Sequence, residues 1–91
     1  MVGSKANEKM LWQVYLLRCA DKTLYCGMTN DIARRIAKHN AGKGAKYTRS
    51  RLPVTLMAAS RGLSKSDALT LERCIKRQPA SRKIAMVQHR S

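Results

Sequence analysis

An α+β domain is expected, a three-stranded, largely antiparallel sheet flanked by helices in the order β-β-α-β-α-α. Three observations lead there. Runs rich in branched and aromatic residues occupy 12–19, 24–29 and 52–60. Turn-forming clusters or glycines separate them, and apolar residues spaced 3 and 4 apart follow the second and third runs. Helices that trail strands in this way pack their apolar stripes against the sheet. Ninety-one residues are too few to divide into two self-sustaining cores. One domain is therefore expected over 11–91, preceded by a flexible N-terminal tail, "MVGSKANEKM", over 1–10. No internal repeat or low-complexity linker interrupts it.

"WQVYLLRC" (12–19) and "LYCGMT" (24–29), joined through "ADKT", form a hairpin. If Asp21, Lys22 and Thr23 make the loop, Ala20 opposes Leu24, Cys19 opposes Tyr25, and Tyr15 and Tyr25 share a face. A two-residue loop would place the phenols on opposite faces. Asn30 or Asp31 then caps a helix that runs to about Asn40 and stops at Gly42, suited to the left-handed position beyond a helix end. Ile32, Ala33, Ile36 and Ala37 give it an apolar side. "GKGAKYTRSR" (42–51), with two glycines and four cations, is expected to be a flexible basic loop. "LPVTLMAAS" (52–60) supplies the third strand, with Pro53 at its start. Ser64 or Ser66 caps a helix from about Lys65 to Arg77, whose buried stripe is Ala68, Leu71 and Ile75, and Pro79 ends it. "ASRKIAMVQHR" (80–90) makes a short final helix.

The apolar content is 44%, but Phe is absent and Trp occurs once, so Leu, Ile, Val, Met and Ala fill a thin core. The charge is the loudest global feature: 19 Lys and Arg stand against 5 Asp and Glu, a net +14. A polyanion relieves that self-repulsion, and nucleic acid is the first candidate. Cys19, Cys26 and Cys74 form no short metal spacing and cannot all pair within one chain. They read as reduced thiols of a cytoplasmic protein. No apolar run approaches the ~18 residues of a membrane span, and no signal-peptide pattern opens the chain.

Five residues could carry chemistry. Tyr15 and Tyr25 lie on the arms of the hairpin, where each would also serve as a rim aromatic. Arg35 and His39, four apart, project from one side of the first helix. A guanidinium there can bracket a phosphate with two donors; solvation is its ordinary alternative, as for Arg34, about a hundred degrees round the helix. Glu72 sits mid-helix beside the Ala68–Leu71–Ile75 stripe and can reach inward. Its ordinary alternative is an ion pair with Arg73, Lys76 or Arg77.

Taken together, "VYLLRC", "LYCGMT", "NDIARRIAKHNAG" and "ALTLERCIK", in that order over 12–76, resemble the GIY-YIG nuclease domain, in particular its small stand-alone bacterial members. The resemblance implies phosphodiester cleavage in DNA with one divalent metal, Mg²⁺ or Mn²⁺. By it, Tyr15 fits the first motif, Tyr25 and Gly27 the second, Arg35 the helix arginine, His39 the residue four later, and Glu72 the metal-binding glutamate. Gln13 stands where the signature has glycine and Cys26 where it has isoleucine. Many members carry an asparagine beyond the glutamate, and this chain has none after Asn40.

The mechanism so implied has Glu72 holding the metal and Arg35 on an opposite phosphate oxygen. Tyr15 would take the water's proton, its phenol brought below the usual ~10 by neighbouring cations. Tyr25 would orient the water or bond a phosphate oxygen, and His39 would position Tyr15 or act as a base. Arg34, Lys38, Lys43, Lys46, Arg49 and Arg51 are expected along the backbone of DNA, or of RNA, with Tyr47 stacking on an exposed base. No recognition helix or finger is evident, so selectivity is expected to come from DNA shape, branching or single-strandedness. The alternatives are a binding module of the same fold without cleavage, and a subunit that acts only with a protein partner; the oligomeric state is left open.

Overall fold

The computed structural model describes residues 11–90, so the tail expected over 1–10 lies outside the described residues. Strand β1 (Gln13–Arg18) is followed by β2 (Leu24–Thr29), helix α1 (Ile32–Asn40), a one-turn helix α2 (Lys46–Arg49), β3 (Thr55–Ala59), α3 (Lys65–Lys76) and α4 (Ala80–His89). The sheet is antiparallel in the order β2-β1-β3, which puts β1 at the centre and leaves β2 on an edge. This is the expected α+β order with one additional turn of helix.

The caps follow local chemistry. Asp31 Oδ1 accepts from Arg34 N at the start of α1, and Ser64 Oγ accepts from Asp67 N at the start of α3. Beyond α1, Gly42 takes φ +79°, the left-handed conformation glycine adopts without a Cβ penalty. The Asn40 side chain then ties the helix end to Val54, the residue before β3, accepting from Val54 N (2.8 Å) and donating to Val54 O (3.2 Å).

The hairpin departs from its expected register by two residues. Leu17 opposes Tyr25 and Arg18 opposes Leu24, so the ladder stops earlier and five residues turn the chain. The cause lies in the loop. Asp21 Oδ1 accepts from both Thr23 N and Thr23 Oγ1, Lys22 takes φ 70°, and Ala20 N donates to Arg51 O instead of to the ladder. A shift of two preserves side-chain parity, so Tyr15 and Tyr25 still share a face.

The segment expected to be a flexible basic loop contains a structured turn. Thr48 N and Arg49 N both donate to Ala45 O, and Arg51 braces the turn by donating to Tyr47 O (2.8 Å) and Asp21 Oδ2 (2.9 Å). Apolar periodicity carries no trace of this, because the holding groups are polar.

Alternation along β1 divides the interior in two. Val14 and Leu16 face α3 and α4 with Cys26, Ala58, Leu63, Ala68, Leu71, Ile75 and Val87. Tyr15 and Leu17 face the α1 side with Cys19 and Val54, and Ile32 and Ile36 pack onto them. Among the described residues no helix is long and apolar enough to cross a membrane.

Candidate active site

Tyr15 occupies the central strand directly opposite Gly27 of β2. A Cβ built on Gly27 would lie 2.5 Å from the Tyr15 hydroxyl, so the phenol crosses the edge strand through the space a side chain would need. That close approach is the reason for glycine at this position. Tyr15 is 1% exposed and His39 0%. Their polar atoms satisfy one another: Tyr15 Oη lies 3.0 Å from His39 Nε2. On the far side of the ring, His39 Nδ1 lies 2.8 Å from Thr48 Oγ1.

Tyr25 completes an aromatic cluster. Its ring is edge-on to His39 at 5.4 Å and tilted against Tyr15 at 6.4 Å. Tyr25 and Arg35 are half-buried and so present the accessible surface of the cluster. Tyr47, expected to stack on a base, has its ring stacked with Tyr25 at 6.0 Å and the Arg51 guanidinium 3.9 Å from its centroid.

Burial sets the protonation states. It raises the Tyr15 phenol above its ordinary value, outweighing the pull of Arg35 in the other direction. The expected lowering by neighbouring cations is therefore not what the structure gives, because a phenol at 1% exposure loses more from desolvation than one guanidinium returns. His39 is lowered, first by burial and then by Arg35, and is held neutral.

Basic residues frame the cluster unevenly. Arg34, Arg35 and Lys38 line a polar cleft of about 300 Å³ with Thr29, Asn30 and Asp31. At the other end of β2, Tyr25 and Tyr47 meet Lys76 and Lys83 around a cavity of about 250 Å³. Lys43, Lys46 and Arg49 are exposed in the segment around α2. A larger cavity of about 420 Å³ lies among Leu71, Met86, His89 and neighbours on the helical side, away from the tyrosines.

Glu72 comes from a different helix than Arg35 and His39. It belongs to α3, on the opposite side of the sheet, where its side chain is 14% exposed and pairs with Lys76 at 3.4 Å. Its charge helps burial raise the Cys26 thiol to about 11, which puts the carboxylate against β2. Lys76, the ion-pair partner, lines the cavity that Tyr25 also lines. Among the described residues no group of three or more His, Cys, Asp or Glu is placed to hold a metal. One carboxylate suits a hard cation such as Mg²⁺, which keeps several waters and takes substrate oxygens, and not a four-ligand zinc site.

Thr48 was not predicted from the sequence. In a ten-residue basic stretch its hydroxyl looks like one more loop hydroxyl, and only the fold reveals that it is 0% exposed and in contact with His39.

Residues 11–85 match the model of the GIY-YIG catalytic domain. A UPF0213 protein of Nitratidesulfovibrio vulgaris is 49% identical over 85 residues, covering 93% of this chain and 76% of that protein. A UPF0213 protein of Lactococcus lactis is 57% identical over 58 residues, covering 64% of this chain but only 59%, less than two thirds, of its own length. The solution NMR structure of the UPF0213 protein from Bacillus halodurans superposes with a TM-score of 0.53 at 42% identity, covering 88% of this chain and 85% of that one.

Proposed function

The chain belongs to the GIY-YIG catalytic-domain family, and on that premise we propose that it is a metal-dependent endonuclease that hydrolyses DNA phosphodiester bonds, selecting substrates by structure rather than by base sequence. The family points to nuclease chemistry on DNA, generally with a divalent metal. The observation that carries the proposal is the buried hydrogen bond between Tyr15 and a neutral His39, beside Arg35.

Hydrolysis requires an acceptor for the water's proton and compensation of charge at phosphorus. Tyr15 is too deeply buried to act as a standing phenolate. It instead accepts the water's proton as it yields its own to His39, and Gly27 leaves the space in which its hydroxyl sits at the edge strand. A neutral imidazole suits that task. Arg35 donates to a non-bridging phosphate oxygen, with Tyr25 orienting the water or a second oxygen. Arg34 and Lys38, in the same cleft as Arg35, hold an adjoining phosphate of the strand. Lys43, Lys46, Arg49 and Arg51 extend the basic track. Glu72 would hold Mg²⁺ or Mn²⁺, which when bound supplies Lewis-acid stabilisation of the phosphate and leaving oxygen.

A second reading, a nucleic-acid-binding module without cleavage, is favoured by the Glu72–Lys76 ion pair, in which an ammonium already neutralises the carboxylate. One experiment separates the two. Purified protein is incubated with supercoiled, single-stranded and branched DNA, with and without Mg²⁺ or Mn²⁺, beside Glu72→Ala. Metal-dependent nicking by the wild type that vanishes in the variant supports the nuclease. Binding without nicking supports the module, and nicking undiminished by Glu72→Ala removes Glu72 from the metal site.

A further inference from the structure

The contact between His39 and Thr48 fixes more than a ring orientation. Thr48 is 0% exposed, and its Oγ1 lies 2.9 Å from Ala45 O as well as 2.8 Å from His39 Nδ1. A hydroxyl carries one proton and a carbonyl only accepts, so the Thr48 proton belongs to the Ala45 bond. Thr48 Oγ1 is then left as an acceptor, and the hydrogen bond on its other side has to come from Nδ1–H. A neutral imidazole has one proton to place, so Nε2 is bare and the Tyr15 hydroxyl donates to it. Burial and the Arg35 charge, by keeping His39 neutral, support the same assignment.

The surroundings hold this arrangement in place. A Cβ on Gly44 would collide with His39 Nδ1, so the chain before α2 closes on the ring at a residue with no side chain. The turn that carries Thr48 is braced by Arg51 through Tyr47 O and Asp21.

We propose that Thr48 is a positioning residue that fixes His39 in the Nδ1–H tautomer, so that Nε2 is always ready to receive the Tyr15 proton. The proposal deepens the cleavage reading above and rests on it for its kinetic consequence. As water attacks, its O–P bond forms and the bond from phosphorus to the 3′ oxygen breaks, the electron pair leaving on that oxygen, which takes a proton from solvent. The water's proton passes to the Tyr15 oxygen while the Tyr15 proton moves to Nε2. The resulting imidazolium keeps its Nδ1–H on Thr48, and the Thr48 proton stays on Ala45 O.

The test pairs ¹⁵N NMR of the full chain at neutral pH, simple to assign with 2 histidines, with DNA nicking by Thr48→Val and Thr48→Ser. Wild type and Thr48→Ser should show a protonated Nδ1 and a bare Nε2 on His39, with similar nicking rates. Thr48→Val should show a mixed or reversed pattern and nick about 10- to 100-fold more slowly, the loss of a hydrogen bond to a charge-bearing ring. A wild-type His39 protonated on Nε2, or a Thr48→Val protein with unchanged pattern and rate, overturns the proposal. Should Thr48→Val not fold, the wild-type and Thr48→Ser spectra still decide. Should the wild type cut no DNA, the cleavage reading fails while the tautomer pattern alone upholds or rejects the placement by Thr48.

Discussion

The two faces of the sheet are built from different materials. On the α3–α4 face, nine buried residues from Val14 to Val87 form an apolar cluster with no charged or hydroxyl side chain among them. On the α1 face, four buried residues make a smaller cluster in which the largest is a tyrosine, and its neighbours His39 and Thr48 are buried polar groups satisfied by each other. Apolar burial needs only volume and tolerates repacking, whereas a polar chain functions only when every donor finds its acceptor. Apolar volume therefore concentrates on one face and the hydrogen-bonded Tyr15–His39–Thr48 chain on the other, with edge strand β2 between them.

The contrast is broken most severely at the contact between Tyr15 and β2. Gly27→Ala places a Cβ 2.5 Å from the Tyr15 hydroxyl, closer than the two can stay, so the phenol is pushed from its position against His39. Plasmid nicking should fall by ~10²- to 10⁴-fold, the usual worth of general-base assistance, while circular dichroism stays that of a folded protein. On the opposite face, Ile75→Ala removes a fully buried side chain. Urea unfolding should show a loss of about 2–5 kcal/mol, with nicking per folded molecule unchanged. A reversal of these two outcomes would mean that the faces do not divide the work.

Acid sharpens the comparison. His39 has a folded value below the ordinary ~6.5, so between those two values the unfolded chain binds more protons than the folded one. Stability should rise with pH through that window and be lowest beneath it, with a slope of at most about 1.4 kcal/mol per pH unit for one proton. Urea titrations at several pH values measure it, and His39→Gln should flatten the window while Ile75→Ala should not. The smallest expected effect concerns the exposed cleft. For about five phosphate contacts, log affinity should fall against log salt with a slope of roughly −4.5, and Lys38→Ala should reduce that slope by about 1. An unchanged slope would take Lys38 off the backbone.

Much of the fold was legible because it rests on local and periodic features: helix starts at Asn30 or Asp31 and at Ser64 or Ser66, of which Asp31 and Ser64 are the caps, the Gly42 turn and the Ala68–Leu71–Ile75 stripe. Parity left two alternatives for Tyr15 and Tyr25, a shared face or opposite faces, and the structure selects the shared face; the register itself was not legible, since Asp21 and Arg51, 30 residues apart, jointly shape the loop. Arg35 and His39 could be paired from helical spacing alone. The direction of the Tyr15 shift was hidden because burial is a property of the packed state, and Thr48 was hidden because its partner lies 9 residues back on another element. Which face of the sheet α3, the helix of Glu72, covers is likewise a property of the packed state, and a helix stripe alone does not reveal it.

The central claim is that the Tyr15–His39 bond accepts the proton of the attacking water. Its most direct test is the rate of Mg²⁺-dependent nicking of supercoiled DNA by Tyr15→Phe, which keeps the ring over Gly27 and removes only the hydroxyl. A rate lowered by ~10²- to 10⁴-fold in a protein folded like the wild type is predicted. A rate equal to that of the wild type would contradict it.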